Sequence, residues 1–211
     1  MNVLAILGAA NKSRNTATML QNAFDGAMSV EGATGEIINL YDLNFKGCMG
    51  CHSCKLLDKE YFGRCAIKDD LTSVLEKAIA ADVILIGSPI YFGDITGETR
   101  SFLERYLFPG ITYNKDRVPT YPKRTKVGWV FTMNAPKETY NFLYDGLKGM
   151  TNNIIGDTEF VVAYNTKQFE DYSKYAATMF DAEERYKRHQ EQFPLDCIEA
   201  YEMGKKLAAS V

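Results

Sequence analysis

Short apolar runs that alternate with stretches of helical period constrain this chain more than any other feature. Residues 3–7 form an apolar run that stops at Gly8. Ala17, Leu20, Ala23, Phe24 and Ala27 then recur at helical spacing through residues 16–28. Residues 35–40, 82–87, 127–132 and 159–164 read as four more strands. Helices are predicted from Asp69-Asp70 to about Ala80, over 97–108, over 137–150, and over about 181–209, where Pro194 kinks or interrupts the last one. Five strands with helices between them predict an α/β protein. Right-handed crossovers narrow this to a doubly wound five-stranded parallel sheet with helices on both faces. No internal repeat or low-complexity tract interrupts the pattern.

In such a sheet, ligands bind beyond the carboxyl ends of the strands, where the strand order reverses. Three connections therefore matter: those after Leu7, Ile86 and Phe131. The first, residues 8–16, is rich in small polar residues and opens a helix. Its Ser13, Asn15 and Thr16 offer short donors beside the free amides of the helix start, which favour a phosphate. Lys12 and Arg14 add positive charge. Helix capping alone explains the same residues, and the segment is neither a Walker A loop nor a GxGxxG fingerprint. The second connection, residues 87–94, carries Tyr91, Phe92 and two glycines. Tyr91 suits the face of a flat ring, and the amides at Phe92 and Gly93 suit its polar edge. A tight turn whose aromatics cap the core is the competing reading.

The chain has 211 residues, 46% hydrophobic and 24% charged, with a net charge of -3. That suits one domain with extra segments and gives no reason to expect nucleic acid as a partner. No apolar run reaches the length of a membrane span. Met1-Asn2 leads directly into the first strand without a basic segment or cleavage site. A cytoplasmic protein is expected, with no membrane partner. Five cysteines are present, of which Cys48, Cys51, Cys54 and Cys65 cluster and Cys197 stands alone. In the cytosol such a cluster points to metal or redox chemistry more than to disulfides.

The run Ser88-Pro89-Ile90-Tyr91-Phe92-Gly93, followed by Arg100-Ser101-Phe102-Leu103-Glu104-Arg105, resembles the central motif of the NADPH-dependent FMN reductase family, which includes the iron-sulfur flavoproteins. The first loop is similar to the family's Gly-Ser-x-Arg-x-x-x-Asn-Thr pattern at Gly8, Asn15 and Thr16, and departs from it at Ala9 and Asn11. The segment Gly47 to Cys54, then Cys65 and Asp69-Asp70, matches as well. The resemblance covers roughly residues 1–164.

It implies a flavodoxin-like fold and FMN as cofactor. It implies that Ser13, Asn15 and Thr16, with Arg14 as added charge, hold the phosphate. Pro89, Ile90, Tyr91, Phe92 and Gly93 would hold the ring, and Thr132 and Asn134 would approach its other side. The expected domain is 1–164, with a cysteine-containing loop at 41–68. Residues 165–211 would form a C-terminal arm and helix packed on the same domain or on a neighbouring subunit of a homo-oligomer.

The expected function is an FMN-dependent oxidoreductase that takes electrons from NAD(P)H and passes them to a flavin, a quinone or another small acceptor. The flavin performs the redox step, so no side-chain acid or base is required and no catalytic residue is assigned. This agrees with the scarcity of histidine. His189 reads as a solvated helix residue, and His52 carries only a weak functional signal between its cysteines. Asp69-Asp70 reads as a helix cap. The alternative is an electron carrier whose Cys48, Cys51, Cys54 and Cys65 hold a [4Fe–4S] cluster and which exchanges electrons with ferredoxin-like partners. A zinc site is a third option. The spacing C-x2-C-x2-C-x10-C departs from the family's closer fourth cysteine, so thiols that pack a loop are preferred to a cluster.

Overall fold

The first strand, β1 (Asn2–Leu7), sits in the middle of the molecule and is buried from Val3 onward. Its side chains alternate. Leu4 and Ile6 enter one core, while Val3, Ala5 and Leu7 enter the other. A strand with two buried faces must be apolar throughout, which is why the run carries no polar residue after Asn2. The computed structural model describes residues 1–211. Beside β1 lie β2 (Thr34–Asn39) and β3 (Val83–Tyr91), both parallel to it. β3 pairs in parallel with β5 (Lys126–Thr132), and β5 with β6 (Thr158–Ala163). The order β2-β1-β3-β5-β6 is the doubly wound flavodoxin-like order expected from the sequence.

One strand is additional. β4 (Asp94–Ile95) folds back antiparallel on the end of β3, pairing Tyr91 with Asp94 and Ile90 with Ile95. β3 therefore runs four residues past Gly87, where the apolar run of the sequence ends. Its extension is stabilised by pairing of Ser88 and Pro89 with Phe131 and Thr132. The hairpin turns at Phe92 and Gly93, both left-handed (φ 52° and 79°), as a two-residue hairpin turn requires.

Helices α1 (Asn15–Met28) and α6 (Phe193–Ala209) cover one face of the sheet. Helices α2 (Leu71–Ala80), α3 (Gly97–Gly110) and α4 (Asn141–Ile154) cover the other. The helix expected from Lys137 begins as a 3-10 turn, Lys137–Tyr140, after Pro136. The long C-terminal helix is divided. α5 (Ala182–Glu191) ends before Gln192, and Pro194 lies in the first turn of α6, where its missing N–H costs nothing. Residues 41–68 form a long connection with short turns at Leu40–Asp42 and Ser53–Lys55. No helix is long and apolar enough to cross a membrane.

The strand order reverses between β1 and β3. There Gly8 donates its N–H to the Gly87 carbonyl at 2.7 Å. A Cβ at Gly8 would lie 1.8 Å from Thr99 Oγ1, so only glycine fits between the first loop and α3. This close approach sets where the first loop leaves the sheet.

Candidate functional site

Beyond the carboxyl ends of β1, β3 and β5 lies a cavity of about 440 Å³. Its first wall is the start of α1. Arg14, the residue before the helix, is extended, and no side chain caps the first turn. The leading amides therefore keep their hydrogen-bonding capacity and the positive end of the helix dipole, which together favour an anion. Asn11 Oδ1 instead turns to Ser13, accepting from its backbone N–H at 2.9 Å and its hydroxyl at 3.1 Å. Thr16 is buried, and its hydroxyl bonds that of Thr132 at 2.6 Å, joining the first loop to the end of β5.

Of the residues singled out in the sequence, Arg14, Asn15, Thr16, Pro89, Ile90, Tyr91, Thr132 and Asn134 all line this cavity. Ser13, Phe92 and Gly93 do not line it. Ser13 is occupied with Asn11, and the Phe92 side chain projects fully into solvent from the tip of the hairpin. Gly93 packs near the Tyr140 ring, 3.5 Å from where its Cβ would stand.

Four lining residues come from the segment after β6: Thr166, Lys167, Gln168 and Phe169. Of these the aromatic pattern of the sequence points only to Phe169, as part of an arm that closes over a flavin or packs against another subunit. Asn165, left-handed at φ 48°, turns the chain after β6 back toward β5. Thr166 then donates both its N–H and its hydroxyl to the Met133 carbonyl. The segment is tied down from three sides. Asn15 donates to the Lys167 carbonyl at 2.9 Å, Arg14 to the Gln168 carbonyl at 2.7 Å, and Asn134 Nδ2 to Gln168 Oε1 at 2.7 Å. The topological rule that picked out three connections applies equally to this fourth one, so the signal was present. Asn134 Oδ1 is buried and has no hydrogen-bond partner. An orphaned buried acceptor is costly in a finished core.

The cysteine segment forms a separate site. Cys48, Cys51, Cys54 and Cys65 all line one small cavity of about 20 Å³. Cys48 and Cys51 are exposed, Cys54 is buried and Cys65 is half-buried. Hydrogen bonds from the Ser53 N–H and hydroxyl hold the Cys51 thiol below its ordinary pKa, whereas burial pushes the Cys54 thiol up. No group of three or more His, Cys, Asp or Glu side chains is arranged to hold a metal ion.

The fully buried guanidinium of Arg105, on α3, organises the segment. It donates to Cys65 Sγ at 3.3 Å, to the Lys46 carbonyl at 3.2 Å, to the Ile67 carbonyl at 3.1 Å and to the Asp69 carboxylate. One side chain thus grips both ends of the cysteine segment. Lys55 reaches the Phe108 and Ile111 carbonyls at the end of α3, and burial lowers its pKa.

The sequence matches the family described as NADPH-dependent FMN reductase over residues 1–121. An iron-sulfur flavoprotein of Archaeoglobus fulgidus is 41% identical over 105 residues, which is 50% of this chain and 48% of that protein. Another iron-sulfur flavoprotein, from Methanocaldococcus jannaschii, is 35% identical over 105 residues, 50% of this chain and 51% of that protein. The chain thus spans about half the length of the curated relatives it matches. Among solved structures, an azoreductase from Bacillus anthracis superposes with a TM-score of 0.68 at 11% identity, covering 98% of this chain and 99% of the other. An NAD(P)H:quinone oxidoreductase from Methanothermobacter marburgensis gives 0.63 at 14% identity, covering 98% and 96%. At such identities the likeness shows the fold.

Proposed function

The chain belongs to the NADPH-dependent FMN reductase family, and from that premise we propose that it is an FMN-dependent oxidoreductase that accepts electrons from NAD(P)H and delivers them to a flavin, a quinone or another small acceptor. The observation that carries this reading is the cavity at the strand reversal. It combines an uncapped helix start with an orphaned buried acceptor, Asn134 Oδ1, on a residue of the same lining. FMN has the matching chemistry, a phosphate and a flat ring with polar edges. Its volume suits a cavity of this class.

In this reading the first-turn amides of α1, with the Thr16 hydroxyl and Arg14, hold the phosphate. Tyr91 and the Pro89-Ile90 backbone lie against the ring, and Asn134 accepts a hydrogen bond from its edge. When bound, FMN supplies the two-electron chemistry, so the chain's task is to bind, orient and shield it. Phe169 and Gln168 close the cavity on the side of the C-terminal segment. Anaerobic mixing with NADH and with NADPH tests the reading. Bleaching of the flavin bands by either donor is the expected result. Bound flavin that neither donor bleaches would remove nicotinamide from the proposal.

A second reading, the iron-sulfur electron carrier, is favoured by one observation: the four cysteines surround a single cavity. Four thiols are the right donor set for a [4Fe–4S] cluster. The cavity, however, is only about 20 Å³, room for about one water. An iron assay on protein purified without oxygen separates the two readings. The first predicts flavin bands and no iron. About four irons per chain, lost together with electron transfer in Cys51→Ser, would favour the second.

A further inference from the structure

A second cavity, about 480 Å³, shares no lining residue with the crevice described above. One wall is the end of the cysteine segment, with Tyr61, Arg64, Cys65 and Lys68. The floor is apolar, formed by Leu75, Ile79 and Ala80 of α2 together with Pro122. Cys65 is the one residue that lines both this cavity and the small cavity of the four cysteines.

The charges around the cavity are informative because most are unpaired. Lys123 is neutralised by Asp82 at 2.6 Å. Arg64 and Lys68 form no ion pair, and neither do Glu60 and Glu76, which also line the cavity. The Lys68 ammonium lies 5.3 Å from the centre of the Tyr61 ring, where it can turn toward an incoming anion. Two unpaired cations and two unpaired carboxylates therefore surround an apolar floor. A ligand of a single sign would meet two like charges there, and like-charge contacts are what a charged site uses to reject a partner. A ligand with a carboxylate, an ammonium and an apolar body would satisfy all three surfaces.

We propose that this cavity is a second small-molecule site, selective for a zwitterion with an apolar body, of the class of an aromatic amino acid or a short peptide. The carboxylate pairs with Arg64 and Lys68. The ammonium pairs with Glu60 and Glu76. The apolar body rests on Leu75, Ile79 and Pro122 beside Tyr61. Bound there, the ligand lies beside Cys65, the last cysteine of the motif. The site does not depend on which cofactor the crevice or the cysteines take.

The test is calorimetric titration of the whole protein, saturated with FMN, using three probes: L-tryptophan, N-acetyl-L-tryptophan and L-tryptophanamide. They share one apolar body and differ in charge. L-Tryptophan is expected to bind roughly ten-fold or more tightly than either single-charge analogue. Arg64→Gln and Glu76→Gln should each remove most of that preference. Both side chains are exposed, so neither change threatens the fold, and an unchanged thermal melt confirms it. Failure of L-tryptophan to bind at about 1 mM, equal affinity for the three probes, or binding indifferent to Arg64→Gln would each overturn the proposal.

Discussion

Thr16 and Thr132 meet across the crevice with their hydroxyls 2.6 Å apart, both buried. Thr16→Val leaves the Thr132 hydroxyl without its partner and should destabilise the protein by about 1–3 kcal/mol. Replacing both partners with valine restores an apolar match, so the double variant should recover most of that loss. If Thr16 also serves the phosphate, FMN affinity stays weak in the double variant while the melting curve recovers. Urea melts and FMN titrations on the same three proteins separate the two roles.

Asp82 gives a pH-dependent case. Its carboxylate accepts from Lys123 Nζ at 2.6 Å and from the Asn2 N–H at 2.7 Å, and the Lys123 contact first of all holds its pKa below the usual range. A depressed carboxylate contributes stability above the unfolded-state pKa of about 3.9 and loses it as pH falls through the lower folded value. Asp82→Asn should therefore be least stable relative to the native protein near neutral pH. The gap should narrow as the pH drops below about 4. Denaturant melts at neutral and strongly acid pH measure this.

At the same scale, Thr16, Tyr91 and Asn134 were legible because their neighbours in sequence are also their neighbours at the strand ends. Gln168 was not, because it reaches the crevice only through bonds to Arg14 and Asn134, more than thirty residues away from each.

Arg105 shows how an element can depend on one side chain. The segment from Lys46 to Asp69 has little regular structure of its own, so its position relies on the four acceptors that the α3 guanidinium reaches. Arg105→Leu removes those bonds and leaves Asp69, only 19% exposed, without its counter-charge. Breaking a buried pair in this way typically costs about 3–5 kcal/mol. The loss should appear as a lower denaturation midpoint and as new proteolytic cuts within residues 46–69. Arg105→Lys should recover only part of it, since an ammonium cannot span the same fork of acceptors.

Sequence periodicity located α3 correctly, yet it gave no sign that Arg105, on a helix carrying other charges, would be buried. Burial of a cation is decided by partners distant in sequence. Periodicity was blind to β4 for a related reason. Two residues make no pattern, and that strand exists because Phe92 and Gly93 turn left-handed. Pro194, in contrast, announced the division between α5 and α6 because its effect on the helix is local.

At the scale of the molecule, the crevice is held by a contact far from it. α6, near the end of the chain, packs backbone to backbone against α1, whose first turn lines the crevice. A Cβ at Gly204 would stand 1.8 Å from the Ala23 carbonyl oxygen, and one at Gly26 would stand 2.0 Å from that of Tyr201. Both glycines are helical and buried, with no unusual backbone angle. They are required for space and not for conformational freedom. Alternation of strands and helices predicts that a helix covers this face, but it does not reveal how close the two helices lie, because that depends on which glycines face each other.

Gly204→Ala must push α6 away from α1 or tilt α1 on the sheet. Overpacking of this kind costs about 1–3 kcal/mol, which for a chain of this size lowers the melting temperature by roughly 2–12 °C. If α1 tilts, its first turn moves with it, and FMN affinity falls although residue 204 touches no part of the crevice. If α6 alone yields, the melting temperature falls and affinity holds. Thermal melts and FMN titration on Gly204→Ala therefore report whether the C-terminal helix is only a cover for the sheet or a support that positions the binding wall. The backbone contact at Ala23, only eight residues after Asn15, makes movement of both the expected outcome.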